Sequence, residues 1–166
     1  MKSKLFSFTA ALFTIALIAS CGKLDKVLVK KDGKWTVTTI KEMSTVHTTV
    51  TDSGVVTSDT TVTSDTTYTP TGGSFTFLKD GTGTMTQDGI TLPITDWSVD
   101  DNEEKITLVI NFLGVSQTMV MDILKNEKDA QQWKFADSDS DTSTFGSTTT
   151  IIATSDVTTL DLERAE

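Results

Sequence analysis

The sequence predicts an all-β protein, an antiparallel sheet of about eight to ten strands closed into a barrel or packed as a sandwich. Threonine, valine, isoleucine and aromatic residues fill the body of the chain, and these side chains favour strands over helices. Short segments alternate apolar and polar residues, as half-buried strands do, and no window shows a helical apolar stripe. Asp-Gly and Ser-Gly turns separate the segments.

The first residues predict a lipoprotein signal peptide over residues 1–20. Lys2 and Lys4 precede an apolar run at residues 5–18, which is too short to span a bilayer and has the length of a secretory signal. Small residues then lead into Cys21, in a pattern that resembles the bacterial lipobox. We expect cleavage before Cys21 and lipid on its thiol. The alternatives are an uncleaved anchor or an ordinary signal peptide with an incidental cysteine.

Composition and net charge limit the classes of partner that the protein could bind. Cys21 is the only cysteine, so disulfides within the chain and cysteine-based metal clusters are excluded. The net charge of −9 becomes −11 once Lys2 and Lys4 are removed, and such an acidic surface disfavours nucleic acid. We expect a monomer, without a cofactor, held to a membrane by its lipid. Gly22 stands where enteric bacteria use aspartate for inner-membrane retention, which favours the outer membrane, at its periplasmic face or the cell surface.

Beyond the leader, residues 21–31 are predicted to be a lipidated tether, with a short helix or a first strand left open, and residues 32–166 a single β domain. The segments that carry the strand pattern are residues 35–40, 46–51, 55–63, 74–78, 82–87, 90–94 with 97–99 closing that segment, 105–112, 115–124, 131–135, 147–154 and 157–163. A seven-residue threonine-rich repeat within residues 57–69 predicts either a long solvated hairpin or a mobile loop.

The strand pattern, with Gly33-Lys34-Trp35, resembles the lipocalin superfamily, whose first strand opens with Gly-x-Trp. The run from Phe75 to Gly83 is similar to lipocalin-like lipoproteins of Gram-negative envelopes. The resemblance implies a lipocalin-like antiparallel barrel. It also implies that Trp35 closes the barrel base against a basic side chain near the last strand, a role that Arg164 would fill through a cation–π contact of about 0.5–2 kcal/mol.

Alternation places five large apolar side chains on one side of the sheet, as candidate lining for a small apolar or amphipathic ligand. They are Phe75, Phe77, Met85, Met119 and Met121. The same residues suit a fully packed interior, which small barrels often have. A rival interpretation is an envelope module whose threonine-rich strands contact protein or glycan.

Metal binding and catalysis lack a recognisable motif. Asp137, Asp139 and Asp141 resemble half of a calcium loop, but the loop's glycine and terminal glutamate are replaced by Thr142 and Thr148, so a solvated turn is favoured and no metal is expected. His47 is the only histidine, and no nucleophile or phosphate-binding motif accompanies it. We expect no catalytic residues; a hydrolase would need a cleft with convergent titratable groups.

The lipoprotein prediction is tested by Cys21→Ser. Without a thiol to carry diacylglycerol, the variant takes up no labelled palmitate, whereas the parent chain is labelled and stays with the membrane fraction. Equal labelling of the two proteins contradicts the prediction.

Overall fold

The computed structural model describes residues 24–166, and the predicted signal peptide and Cys21 lie outside them. It confirms the all-β class, with nine antiparallel strands of which eight close a barrel. The elements are helix α1 (Leu24–Leu28), a 3₁₀ turn (Lys31–Gly33), β1 (Lys34–Asp52), β2 (Val55–Tyr68), β3 (Ser74–Phe77), β4 (Gly83–Gln87), β5 (Ile90–Val99), β6 (Lys105–Phe112), β7 (Val115–Asn126), β8 (Ala130–Phe145) and β9 (Thr148–Arg164).

The barrel is an up-and-down meander. Its strand order is β1, β3, β4, β5, β6, β7, β8 and β9, and β9 pairs back on β1. The pairing of Trp35 with Arg164 begins this closing seam at one end of the barrel, which we call the base. Closure removes the free edges that an open sheet would expose over this part of the chain.

β2 lies outside the barrel and builds a second, flatter structure. From Ile40 onward β1 pairs with β2 on one side and with β9 on the other, and β8 continues beside β9. The four strands run past the barrel as a sheet that we call the extension, residues 44–52, 55–64, 137–145 and 148–156. Every residue of β2 is exposed. Threonine, serine and aspartate hold this sheet by backbone pairing, since they bring little apolar surface to bury.

Several predicted strands are longer than expected. Residues 35–40 and 46–51 form one strand, as do residues 147–154 and 157–163, and the threonine-rich segment is a paired strand rather than a mobile loop. The turn predicted at Asp137–Asp141 is wrong, because these residues continue β8. Their backbone pairs with β9 from Asp156 to Ile152, and that partner decides the conformation against the weak local turn preference.

The barrel interior near the base is filled by aromatic rings. Phe77 packs edge-on against Trp97 and Trp133, with ring centroids 5.2 and 5.8 Å apart. Such pairs add about 0.5–1.5 kcal/mol each beyond the area that they bury. These rings form the aromatic layer of the base, and Leu108 and Leu162 are fully buried in the same core.

Helix α1 settles the choice between helix and strand at the start of the domain. Its residues Leu24 and Leu28 are fully buried and Val27 nearly so, in the same core as the base aromatics. Burial of each leucine stabilises the fold by about 1.5–3 kcal/mol. From Leu24 onward, therefore, the segment predicted as a tether packs as part of the barrel base.

No helix among the described residues has the length and apolar character needed to cross a membrane.

We expect substitution of Gly33 to lower the stability of the fold sharply. It has φ +66°, and a Cβ there would lie 1.9 Å from the carbonyl oxygen of Phe77. Gly33→Ala should lower the free energy of unfolding by about 3 kcal/mol, since backbone strain and overpacking add. Gly54→Ala is the matched control: its φ is +80°, and a Cβ there would have no atom of the described residues near it within 4 Å. We therefore expect this variant to lose only about 1 kcal/mol of unfolding free energy in urea titrations. Equal losses contradict the steric argument.

Candidate functional site

The base brings together the three residues to which the lipocalin resemblance gives a role in barrel closure, Gly33, Trp35 and Arg164. Gly33 lies against the backbone of Phe77, and the indole Nε1 of Trp35 donates to the carbonyl of Leu28 at 3.1 Å. The Arg164 guanidinium stands 4.4 Å from the centroid of the Trp35 ring. The cation is therefore stacked on a fully buried indole at the end of the closing seam.

The same guanidinium joins the end of β9 to two other segments of the chain, residues 27–30 and residues 128–129. Its Nη1 donates to the carbonyl of Lys30 at 2.6 Å, and its Nη2 donates to those of Val27 and Lys128 at 2.8 Å each. Its Nε donates to the Asp129 carboxylate at 3.0 Å. Only 3% of the Arg164 side chain is exposed, so these acceptors replace water around a buried cation.

A cavity of about 240 Å³ lies in the barrel interior at the end away from the base. Its lining is mostly apolar: Val37, Ile40, Phe75, Met85, Met119, Met121, Phe135 and Leu160. Four of the five residues predicted to line a cavity thus meet there. The exception is Phe77, which lies one step deeper along β3, in the aromatic layer of the base.

Polar groups gather at the mouth of this cavity. Glu42 and Tyr68 line it, and the Tyr68 hydroxyl donates to Glu42 Oε1 at 2.8 Å. This hydrogen bond raises the pKa of the Tyr68 phenol, and partial burial shifts it in the same direction. Thr86, Gln87 and Thr158 complete the polar part of the lining. No pattern in the sequence indicates Glu42 and Tyr68, which are 26 residues apart and meet only because β1 and β2 pair.

One buried donor next to the cavity layer lacks a partner. Trp133 is fully buried and packs edge-on against Phe75, a lining residue, at 5.6 Å between ring centroids. Within residues 24–166, its indole Nε1 has no hydrogen-bond acceptor. A buried donor without an acceptor costs about 1–3 kcal/mol.

His47 and the aspartates of β8 lie on the extension, away from the cavity. His47 Nε2 contacts the Asp59 carboxylate, and no other side chain of the described strands hydrogen-bonds to this imidazole. Asp137, Asp139 and Asp141 line one face of β8 by strand alternation. In the described part of the chain, no three His, Cys, Asp or Glu residues are grouped so that they could hold a metal ion.

Comparisons with known proteins assign no family. No protein-family model matches the sequence, and neither does any curated protein. Among solved structures, the chain is similar to the ywiB protein from Bacillus subtilis at 9% identity, over 77% of this chain and 94% of that one, with a TM-score of 0.17. A likeness at that TM-score carries no argument about function.

Arg164 gives a direct test of the base. Arg164→Met keeps an apolar stem beside Trp35 but leaves three carbonyls and Asp129 without their donor, so we expect unfolding to become easier by about 3–4 kcal/mol. The control Lys105→Met removes an exposed cation paired with Asp122 and should leave the urea midpoint nearly unchanged. Equal midpoints for the two variants would show that the buried guanidinium does not stabilise the base.

Proposed function

We propose that this protein is a lipid-anchored lipoprotein of the cell envelope whose lipocalin-like barrel binds a small apolar or amphipathic molecule. The cavity at the open end of the barrel carries this proposal, because its walls are apolar while its mouth is polar. Eight-stranded up-and-down barrels are just wide enough to hold one small ligand, as lipocalins do. The predicted lipid on Cys21 supports an envelope location, at the outer membrane.

The cavity volume sets the size of the ligand. An apolar cavity of about 150 Å³ in another protein stays dry and binds benzene. A volume of about 240 Å³ therefore suits one aromatic ring with a short substituent, or a short alkyl chain. The methionines Met85, Met119 and Met121 are unbranched and polarizable, so this wall adapts to different ligand shapes at low cost.

Binding rather than catalysis is the role that we propose. Among the described residues that line the cavity, the titratable groups are one carboxylate and one phenol, Glu42 and Tyr68, joined to each other. A nucleophile with an adjacent base and orienting group is the arrangement that hydrolysis on such a scaffold would require. His47, the only histidine of the chain, lies on the extension with Asp59.

A second candidate function, contact with envelope protein or glycan, is supported by exposed apolar side chains. Phe145 is 91% exposed at the turn between β8 and β9, and Leu113 is 88% exposed at the turn between β6 and β7. Phe112 and Val115 flank Leu113 and are also exposed. Apolar side chains grouped in this way commonly mark contact surfaces.

A cavity-filling pair tests the leading proposal. Met119→Trp places an indole in the cavity. Val120→Trp places the same ring at the next position of β7, where the side chain is 46% exposed and does not line the cavity. We expect 1-octanol to bind the parent chain and Val120→Trp alike in isothermal titration calorimetry. Met119→Trp should bind at least about tenfold more weakly, because the ring occupies the ligand volume.

Melting curves establish that both tryptophan variants are folded before the titration. Undiminished octanol binding by a folded Met119→Trp contradicts the proposal, and so does the absence of octanol binding by the parent chain.

A further inference from the structure

The charge around the cavity mouth has one sign. Among the described residues that line the cavity, Glu42 is the only one with a formal charge, and none is a lysine or an arginine. Its Oε1 accepts from Tyr68, while its Oε2 accepts no hydrogen bond from the described residues. Tyr68 thus holds the carboxylate at the mouth and leaves one of its oxygens available to a ligand.

Within residues 24–166, the face of the extension above the mouth carries no positively charged residue. One face of the extension continues the barrel interior at Ile40 and Leu160. Along this face, the pair formed by Phe135 and Thr158 is followed, two residues farther along each strand, by the pair formed by Asp137 and Asp156. Lys41 and Lys134, which pair with Thr159, point to the opposite face by the same alternation. The approach to the cavity over this face is therefore acidic.

We propose that the cavity takes a cationic amphiphile, an ammonium group carrying a short alkyl chain or one aromatic ring. This inference rests on the proposed function and names its ligand class. The apolar part lies among Phe75, Met85 and Met119, and the ammonium faces the free oxygen of Glu42. A carboxylate beside a partly apolar surface attracts a cation more strongly than it would in bulk water.

Fatty acids, the anionic counterpart, are disfavoured by the same geometry. A carboxylate head with its tail in this cavity would lie next to Glu42, with no cation among the lining residues to compensate. A neutral alcohol of the same chain length would keep the apolar contacts and lose only the charge interaction. Comparing an ammonium, a hydroxyl and a carboxylate head group on the same alkyl chain therefore separates recognition of charge from simple apolar binding.

The experiment is a calorimetric titration of the mature protein with octylammonium, 1-octanol and octanoate at neutral pH and low salt. We expect octylammonium to bind about fivefold more tightly than octanol, the scale of one partly exposed ion pair, and octanoate to bind most weakly. In Glu42→Gln, which still accepts from Tyr68, octylammonium should fall to the affinity of octanol. Glu104→Gln is the matched control, because Glu104 is exposed at the base end of β6, and should keep the parent's preference.

The outcomes separate this inference from the proposal beneath it. If the three probes bind alike, or octanoate binds tightest, the cationic class is overturned while the apolar cavity stands. A preference for octylammonium that survives in folded Glu42→Gln also overturns it. If none of the probes binds, octanol included, the proposed function fails and this inference fails with it.

Discussion

The whole molecule depends on the fact that a strand has only two edges, and β1 pairs along both of them over nearly all of its length, with a short gap on one edge between Thr36 and Ile40. One edge pairs with β9 from the base to the tip of the extension. The other pairs with β3 up to Thr36 and with β2 from Ile40 onward. The sheet must part at the point on β1 where β2 replaces β3 as the neighbouring strand. The loop that links β2 to β3 crosses at this point, and the Val37 N–H donates to the Gly73 carbonyl of that loop. The cavity opens at this exchange, lined by Val37, Ile40, Pro70 and Gly73.

Much of the barrel could be predicted because its signals are local. Asp88-Gly89 joins β4 to β5 and Ser53-Gly54 joins β1 to β2, with the positive φ angles that such turns demand. Alternation alone placed Phe75, Met85, Met119 and Met121 on the interior side. The contact between Trp35 and Arg164 has no local signal and is implied by the lipocalin resemblance alone; it forms because an up-and-down barrel brings its first and last strands together.

The rest depends on pairing between distant segments, which periodicity does not encode. Phe75 and Phe77 share a face, but two residues correspond to about 7 Å along a strand, enough to separate the cavity wall from the aromatic layer. The length of β8 was missed because Asp137–Asp141 becomes a strand only beside β9. Glu42 and Tyr68 gave no signal of their own, since each is an ordinary polar residue until β2 folds back on β1.

The base and the cavity lie at opposite ends of the barrel, and helix α1 is packed at the base. Leu24 lies three residues after Cys21, a span of at most about 11 Å. An acyl chain on Cys21 would therefore hold the base against the bilayer and turn the open end outward. A bound molecule would then enter from the surrounding aqueous phase instead of passing directly out of the lipid bilayer. With so short a linker, the barrel would bind dissolved molecules rather than extract lipids from the membrane beside it.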